Sequence, residues 1–150
     1  MFVLDTDHLG IIQDRNEPEF SDLTSRMRQH RLEDFFVTIV SFQEQVAGWN
    51  LYIQRARDIP GLVRGYAMFQ QVLANFTKMN VLPLTAEAVT TFLDLRKSGA
   101  RVGTMDLRIG SIALVHGFTV LTRNTIDFDK ITGLQVEDWT KPRGQRKEYG

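Results

Sequence analysis

Phe2-Val3-Leu4-Asp5-Thr6-Asp7 is the stretch that decides the fold, because a short apolar run ends there at two acids. A run this short, with Phe and Val in it, is typical of a strand that is buried on both faces of a sheet. Ligands of open α/β sheets bind outside the carboxyl ends of the strands. We therefore expect Asp5 to begin a cluster of carboxylates, to which later parts of the chain add further acids.

The composition is that of one domain with its own core. The chain has 150 residues, 43% of them hydrophobic, and it contains no Cys, which excludes disulfides, thiolate zinc sites and cysteine nucleophiles. No apolar run is long enough to span a membrane, and no signal peptide is recognised, so we expect a cytoplasmic protein. With 18 basic and 18 acidic residues the net charge is zero. Any binding of nucleic acid must therefore come from local patches.

Strand-like and helix-like patterns alternate along the chain. We predict strands near residues 2–4, 35–40, 81–84, 118–122 and 134–136, and helices over 8–14, 18–27, 41–57, 62–78, 86–97 and 105–116. Ile59-Pro60-Gly61 is predicted to break the chain between two helices, and residues 123–130 to form a polar loop. This alternation predicts an α/β fold with a parallel sheet of four to five strands. Residues 140–150 are predicted to be a basic, mobile tail.

Each acid has a structural explanation when it is taken singly. Asp5 is a good N-cap residue, and Ser41 with Glu44 forms the pattern of a capping box. Asp106 falls in a first helical turn, where an acid favours the helix dipole, and Asp127 suits a turn. None of these acids points to a function by itself.

Taken together, the same acids indicate a metal site. Asp5, Glu44 and the segment 122–127 follow predicted strands, and Asp106 opens a helix, so all should converge at one edge of the sheet. Two carboxylates about 4 Å apart repel by roughly 4 kcal/mol at an effective dielectric constant of about 20, and a divalent cation removes that cost. Oxygen ligands favour Mg²⁺ or Mn²⁺ over zinc. The histidines are scattered, and His8 and His116 are expected to lie at helix ends.

Metal-activated water is the chemistry that such a site favours. Without Cys or a suitably placed His there is no nucleophile with its base, whereas a metal site can activate water and clamp a phosphate. Arg101, Arg108 and Arg123 lie close in sequence to the acids and are candidates to hold the phosphates of a chain substrate. No P-loop and no dinucleotide-binding motif is present.

Short motifs in a fixed order resemble one known family. They are Met1-Phe-Val-Leu-Asp-Thr-Asp-His-Leu9, Ser41-Phe-Gln-Glu44, Gly103-Thr-Met-Asp106-Leu-Arg-Ile109, Leu121-Thr-Arg-Asn-Thr-Ile-Asp-Phe128 and the ending 131–139. This series resembles the PIN-domain ribonucleases, and more narrowly the VapC toxins of bacterial type II toxin–antitoxin systems. The resemblance covers residues 1–139, which we take as the PIN-like domain.

The resemblance implies a fold, an activity and partners. It implies a parallel sheet with helices on both sides and an acidic pocket for Mg²⁺ or Mn²⁺. It also implies endonucleolytic cleavage of a structured cellular RNA, such as a transfer RNA. The implied partners are a second copy of the chain and a small antitoxin, which blocks the site and binds operator DNA.

The resemblance also implies the site residues. Asp5, Glu44 and Asp106 would bind the metal and be catalytic. Asn124 takes a fourth catalytic position, where many relatives have Asp, and the supporting residues are Thr6, Thr122 and Asp127. Arg108 and Arg123 are expected to bind phosphate because they lie close in sequence to these acids, not because of the resemblance. Gly110 and Ser111 stand where small alanines are usual, which we expect to change little.

Two other interpretations stay open at this point. The run that ends at Asp5 is similar to the nucleophile motif of haloacid-dehalogenase-type phosphatases, in which an aspartyl phosphate forms. That chemistry needs a later Lys, and Lys78 and Lys97 are poorly placed for it. Alternatively, Asn124 marks a catalytically weak PIN domain that binds RNA or a partner without cutting.

Overall fold

Within residues 1–142, five parallel strands form the centre of the fold. They are β1 (Phe2–Leu4), β2 (Phe35–Thr38), β3 (Val81–Leu82), β4 (Thr119–Leu121) and β5 (Val136–Glu137), in the order β3-β2-β1-β4-β5. Each pairing is parallel, and β1 lies between β2 and β4. The predicted α/β class and the predicted parallel sheet of four to five strands are confirmed, with five strands observed.

The computed structural model describes residues 1–142, so most of the predicted basic tail, residues 143–150, lies outside the described residues. The helices are α1 (Thr6–Asp14), α2 (Glu19–Met27), α3 (Ile39–Arg55), α4 (Ile59–Thr77), α5 (Ala86–Lys97), α6 (Thr104–His116) and α7 (Thr125–Phe128). A short 3-10 turn, Leu32–Asp34, precedes β2. No helix within residues 1–142 is long and apolar enough to cross a membrane.

The two faces of the sheet bury two separate cores. Val3 and Val120 belong to the core that α5 and α6 cover. Their neighbours Leu4 and Leu121 belong to the other core, which α1, α2 and α4 help to build. Successive strand residues point to opposite faces, so this alternation places helices on both sides of the sheet, as predicted.

The capping box predicted at Ser41 is wrong. β2 ends at Thr38 rather than Val40, and α3 begins at Ile39. The N-cap is Thr38, whose hydroxyl accepts a hydrogen bond of 3.2 Å from the backbone N–H of Ser41. Glu44 therefore has no capping role and is available to the site.

Two further boundaries differ from the prediction. α4 begins at Ile59, because Asp58 caps it by accepting from the N–H of Gly61 at 2.7 Å, so the predicted break lies one turn too late. Pro60 is tolerated there because the first turn of a helix leaves its N–H groups unbonded. The predicted polar loop 123–130 contains α7, which is too short to show a helical pattern in the sequence.

Thr140 lies one residue past the predicted domain end at residue 139. Thr140 is buried, and both its N–H and its hydroxyl donate to Oδ1 of Asp138, at 2.9 and 2.6 Å. The described part of the predicted tail thus begins with a residue packed on the domain.

Candidate metal centre

Asp5 occupies the position directly after β1, where it is almost fully buried. Its backbone N–H extends the sheet by donating to the carbonyl of Leu121 at 3.0 Å. Its Oδ1 accepts from the N–H of Thr6 at 2.7 Å and so caps α1, while Oδ2 accepts from the hydroxyl of Thr122 at 2.8 Å. The predicted N-cap role of Asp5 is therefore confirmed, and its carboxylate also lies directly after a strand end, as the sequence indicated.

Glu44 reaches the same sheet edge from the second turn of α3. Its Oε1 accepts from the hydroxyl of Thr6 at 2.9 Å, and that hydroxyl also lies 3.1 Å from the hydroxyl of the buried Ser41. Thr6 therefore connects the start of α1 with the acid on α3. Thr6, which was predicted to be a supporting residue, is therefore in direct contact with one of the predicted metal ligands.

Asp106 enters from the first turn of α6, where Gly103 offers no side chain to cap the helix. Oδ2 of Asp106 accepts from the side-chain amide nitrogen of Asn124 at 3.2 Å, and the same nitrogen donates to Asp127 at 3.0 Å. Asn124 thus turns its nitrogen, rather than its oxygen, toward two carboxylates. A neutral donor here offsets part of the repulsion between them.

Asp7 is the acid whose role the sequence did not indicate. Its Oδ2 accepts from the backbone N–H of Arg123 at 2.9 Å and lies 3.3 Å from the hydroxyl of Thr122. Its Oδ1 lies 2.9 Å from Nδ1 of His8. Only the adjacency of an acid and a histidine just after a strand could have drawn attention to it. His8 does lie at a helix end, as expected, but its side chain is fully buried.

The acids fall into two groups by their pKa values. Burial, followed by the charge of Asp7, raises the pKa of Asp5 to about 7, and the charge of Asp106 adds to the effect. Burial also raises the pKa of Glu44 and of Asp106, and each is raised further by a neighbouring acid, Asp106 and Asp127 respectively. Within residues 1–142, the three predicted metal ligands are thus the acids whose pKa values are raised, because burial and neighbouring acids outweigh their hydrogen bonds.

The other two acids are satisfied within the chain. Burial acts to raise the pKa of Asp7, but the hydrogen bonds from His8 and from the N–H of Arg123 outweigh it, so the pKa is lowered. Hydrogen bonds from Asn124 and Lys130 lower the pKa of Asp127. Both acids are therefore better suited to hold the surrounding loops than to bind a cation.

The donor chemistry of Asp5, Glu44 and Asp106 fits a divalent cation. All three offer carboxylate oxygens, which suit Mg²⁺ and Mn²⁺. Within residues 1–142, no three acidic or histidine side chains already stand in a ready-made ligand cage. The fit therefore rests on the kind of donor and on the unbalanced charge.

The predicted phosphate ligands lie in different surroundings. The guanidinium of Arg108 lies 5.8 Å from the ring centre of Phe92 on α5, and its nitrogen lies 3.7 Å from the sulfur of Met105. Residues two apart on a helix do not share a face, so Arg108 and Asp106 diverge. Arg123 is exposed, and its N–H is held by Asp7. Of the two, only Arg123 is next to the acids.

Comparison with known sequences found relatives that are named as VapC ribonucleases or endonucleases. The chain is 36% identical over 88 residues to Ribonuclease VapC1 of Rickettsia felis, and this covers 56% of this chain and 63% of the relative. It is 27% identical over 143 residues to the tRNA(fMet)-specific endonuclease VapC of Salmonella typhimurium, covering 92% and 97%. The first match thus spans somewhat less than two thirds of its relative. No family model matches the chain.

Comparison with solved structures found proteins that share the fold of this chain. VapBC-1 from nontypeable Haemophilus influenzae superposes with a TM-score of 0.71 at 21% identity, covering 93% of this chain and 98% of that one. DNA-bound VapBC from Salmonella typhimurium superposes with a TM-score of 0.68 at 22% identity, covering 92% and 97%. The architecture predicted from the strand and helix pattern is therefore shared with these proteins.

Proposed function

We propose that this chain, a homologue of the VapC ribonucleases, is a metal-dependent endoribonuclease that uses water to hydrolyse a phosphodiester bond. One observation carries the proposal. Asp5, Glu44 and Asp106 come from three separate elements to one edge of the sheet, and burial together with neighbouring acids raises the pKa of each. Such a group of acids is poorly stable without a cation and well suited to bind one.

Each metal ligand would be oriented by a neutral donor from the chain. The hydroxyls of Thr122 and Thr6 hold Asp5 and Glu44, and the amide of Asn124 holds Asp106. These donors fix the carboxylates without supplying a competing positive charge. When bound, Mg²⁺ or Mn²⁺ would lower the pKa of a water molecule and stabilise the charge that develops on the phosphate.

A folded RNA of translation is the proposed substrate. The Salmonella relative is named as an endonuclease specific for one transfer RNA, and we extend that substrate class to this chain. Arg123 lies beside the acids, and a guanidinium can contact a phosphate through two hydrogen bonds. We propose that Arg123 binds the RNA backbone and that Arg108, which is packed on Phe92, contributes less.

Two protein partners belong to the proposal, namely a second copy of the chain and a cognate antitoxin. Helices α3 and α4 leave several large apolar side chains exposed: Leu51, Tyr52, Leu62, Val63, Tyr66 and Leu73. A cluster of this kind is typical of a surface that a partner covers. We propose that the chain is the toxin of a toxin–antitoxin pair and that it meets operator DNA only through the antitoxin.

The test is cleavage of total bacterial RNA by the purified chain, with Mn²⁺ and with a chelator, beside Asp106→Asn. We expect discrete cuts that need Mn²⁺ and that disappear in the variant. Asp94→Asn on α5 is the matched control, because it makes the same chemical change at an exposed acid. A folded Asp106→Asn variant that cuts at the wild-type rate would refute the proposed role of Asp106.

Calorimetric titration with Mn²⁺ separates the remaining alternatives. A chain that binds Mn²⁺ poorly and does not cut would be a partner-binding domain with a weakened site. A phosphoenzyme trapped at Asp5 would instead support the phosphatase. That second outcome is disfavoured, because within residues 1–142 no lysine or arginine forms an ion pair with Asp5.

A further inference from the structure

His8 is a fully buried polar residue for which the proposed chemistry has no use. Its ring nitrogens face in two directions. Nε2 accepts from the backbone N–H of Trp139 at 3.2 Å and lies 3.8 Å from Oδ1 of Asp138, which is beyond hydrogen-bond distance. Nδ1 lies 2.9 Å from Oδ1 of Asp7. Because the nitrogen that accepts has no hydrogen, a neutral imidazole with these contacts carries its hydrogen on Nδ1 and donates it to Asp7.

Asp7 connects His8 to the acidic site through its second carboxylate oxygen. Its second oxygen accepts from the N–H of Arg123 at 2.9 Å and lies 3.3 Å from the hydroxyl of Thr122. That hydroxyl donates to Asp5 at 2.8 Å and accepts from the N–H of Asn124 at 3.0 Å. Asp7 thus contacts the turn after β4 through one carboxylate oxygen and His8 through the other.

We propose that His8 is a positioning residue for the acidic site. Its Nδ1–H aims Asp7 so that the turn Thr122–Asn124 is held against Asp5, while its Nε2 anchors the chain after β5. The inference rests on the proposed function, since it concerns the site at which RNA would be cut. The contact of Nδ1 with Asp7 thus serves the site, whereas the contact of Nε2 with Trp139 serves the stability of the fold.

Two substitutions separate these tasks. In His8→Asn the amide nitrogen can replace Nδ1 and still donate to Asp7, but nothing reaches Trp139. In His8→Gln the longer side chain can accept from Trp139 but lacks a donor at the Nδ1 position. If His8 were merely a core residue, activity would follow stability in both variants.

We expect instead that the less stable of the two variants is the more active one. His8→Asn should melt at the lower temperature yet keep kcat within about 3-fold of wild type. His8→Gln should be the more stable variant yet lose kcat by about 10-fold or more with KM little changed, as is usual for residues that orient metal ligands. Hydrogen exchange at the backbone N–H of Arg123 should speed up by at least about 10-fold in His8→Gln only.

The exchange measurement keeps the inference separate from the proposed function. If the wild-type chain neither cuts RNA nor binds Mn²⁺, the proposed function fails, whereas exchange at Arg123 still tests the role of His8. Wild-type exchange at Arg123 in His8→Gln, or kcat that follows melting temperature in both variants, overturns the inference. Should either histidine variant fail to fold, Asp7→Ala, at a partly exposed position, must show the same fast exchange at Arg123, and slow exchange there also overturns it.

Discussion

The hydroxyl of Thr122 donates a hydrogen bond of 2.8 Å to Oδ2 of Asp5, although the two residues are 117 positions apart. They meet because Leu4 of β1 pairs with Leu121 of β4, so that the residues directly after the two strands become neighbours. Thr122 is fully buried and Asp5 nearly so. The hydroxyl of Thr122 is thus the hydrogen-bond donor to Oδ2 of a carboxylate that water barely reaches, while Oδ1 accepts from the backbone N–H of Thr6.

Thr122→Val should therefore damage the site more than its small change in volume suggests. It leaves one buried carboxylate oxygen and the N–H of Asn124 without their partner. Leaving a buried polar group unbonded costs about 1–3 kcal/mol of unfolding free energy, measurable by urea denaturation. Mn²⁺ should also bind more weakly. Thr122→Ser keeps the hydroxyl and serves as control, and equal losses in the two variants would contradict the role of the hydrogen bond.

The raised pKa of Asp5 predicts how the metal-free chain responds to pH. Because this pKa is about 7 instead of 3.8, the folded chain keeps a proton that the unfolded chain releases at lower pH. The free energy of unfolding should therefore fall as the pH rises from about 4 through 7, by at most about 4 kcal/mol. Denaturation in chelator across this range measures it, with Asp5→Asn as the reference that lacks the group. A difference between the two proteins that does not change with pH would rule out the shift.

Addition of Mn²⁺ should reverse that trend. A cation binds the ionised form of Asp5, so it should raise the melting temperature more at pH 8 than at pH 5.5. The control at each pH is a buffer of equal ionic strength without Mn²⁺. An equal rise at both pH values would show that Asp5 does not take part in binding.

The sequence was sufficient to predict the parallel sheet and to place Asp5 and Asp106 near one another. Asp5 directly follows an apolar run, and Asp106 opens a helix, so simple topology brings them together. The role of Glu44 was obscured by a local pattern, since Ser41 looked like the cap that Thr38 provides. Local patterns compete with one another, and only the packed structure decides between them.

The contacts of His8 and Asp7 could not be predicted in the same way. They depend on Trp139 and on the turn at Arg123, and both segments are more than 100 positions away in sequence. The orientation of the Asn124 amide likewise depends on two acids from different helices. Such contacts follow from the register of strands and helices, which no periodic pattern in the sequence specifies.

Asn124→Asp should restore the acid that the resemblance leads one to expect at this position. The change replaces the donor between Asp106 and Asp127 with a third negative charge. The metal-free chain should lose stability, and Mn²⁺ should bind more tightly, on the order of 10-fold or about 1.4 kcal/mol. Calorimetric titration measures this, and Asn124→Ala, which adds no charge, should show no gain. Unchanged affinity in Asn124→Asp would place residue 124 outside the metal site.

Gly110→Ala should destabilise the fold, contrary to the expectation that small residues are interchangeable at this position. A Cβ at Gly110 would lie 2.4 Å from Cδ1 of the buried Ile131. Overpacking of this kind typically costs about 1–3 kcal/mol. Gly48→Ala, in the middle of α3 with nothing within 4 Å of the added carbon, should instead stabilise by roughly 0.5–1 kcal/mol. Urea denaturation of both variants tests the contrast, which would be contradicted if they changed stability in the same direction.

Arg123→Gln should weaken the binding of RNA without disturbing the acids. The backbone N–H of Arg123, not its side chain, makes the contact with Asp7, so the turn should keep its structure. We expect a higher KM with kcat little changed, and a salt dependence of binding reduced by about one phosphate contact. Arg108→Gln should have a smaller effect because that side chain lies over Phe92. Arg57→Gln, an exposed position between α3 and α4, is the control for lost charge alone. If all three variants raise KM equally, the effect comes from overall charge, and Arg123 has no special place at the site.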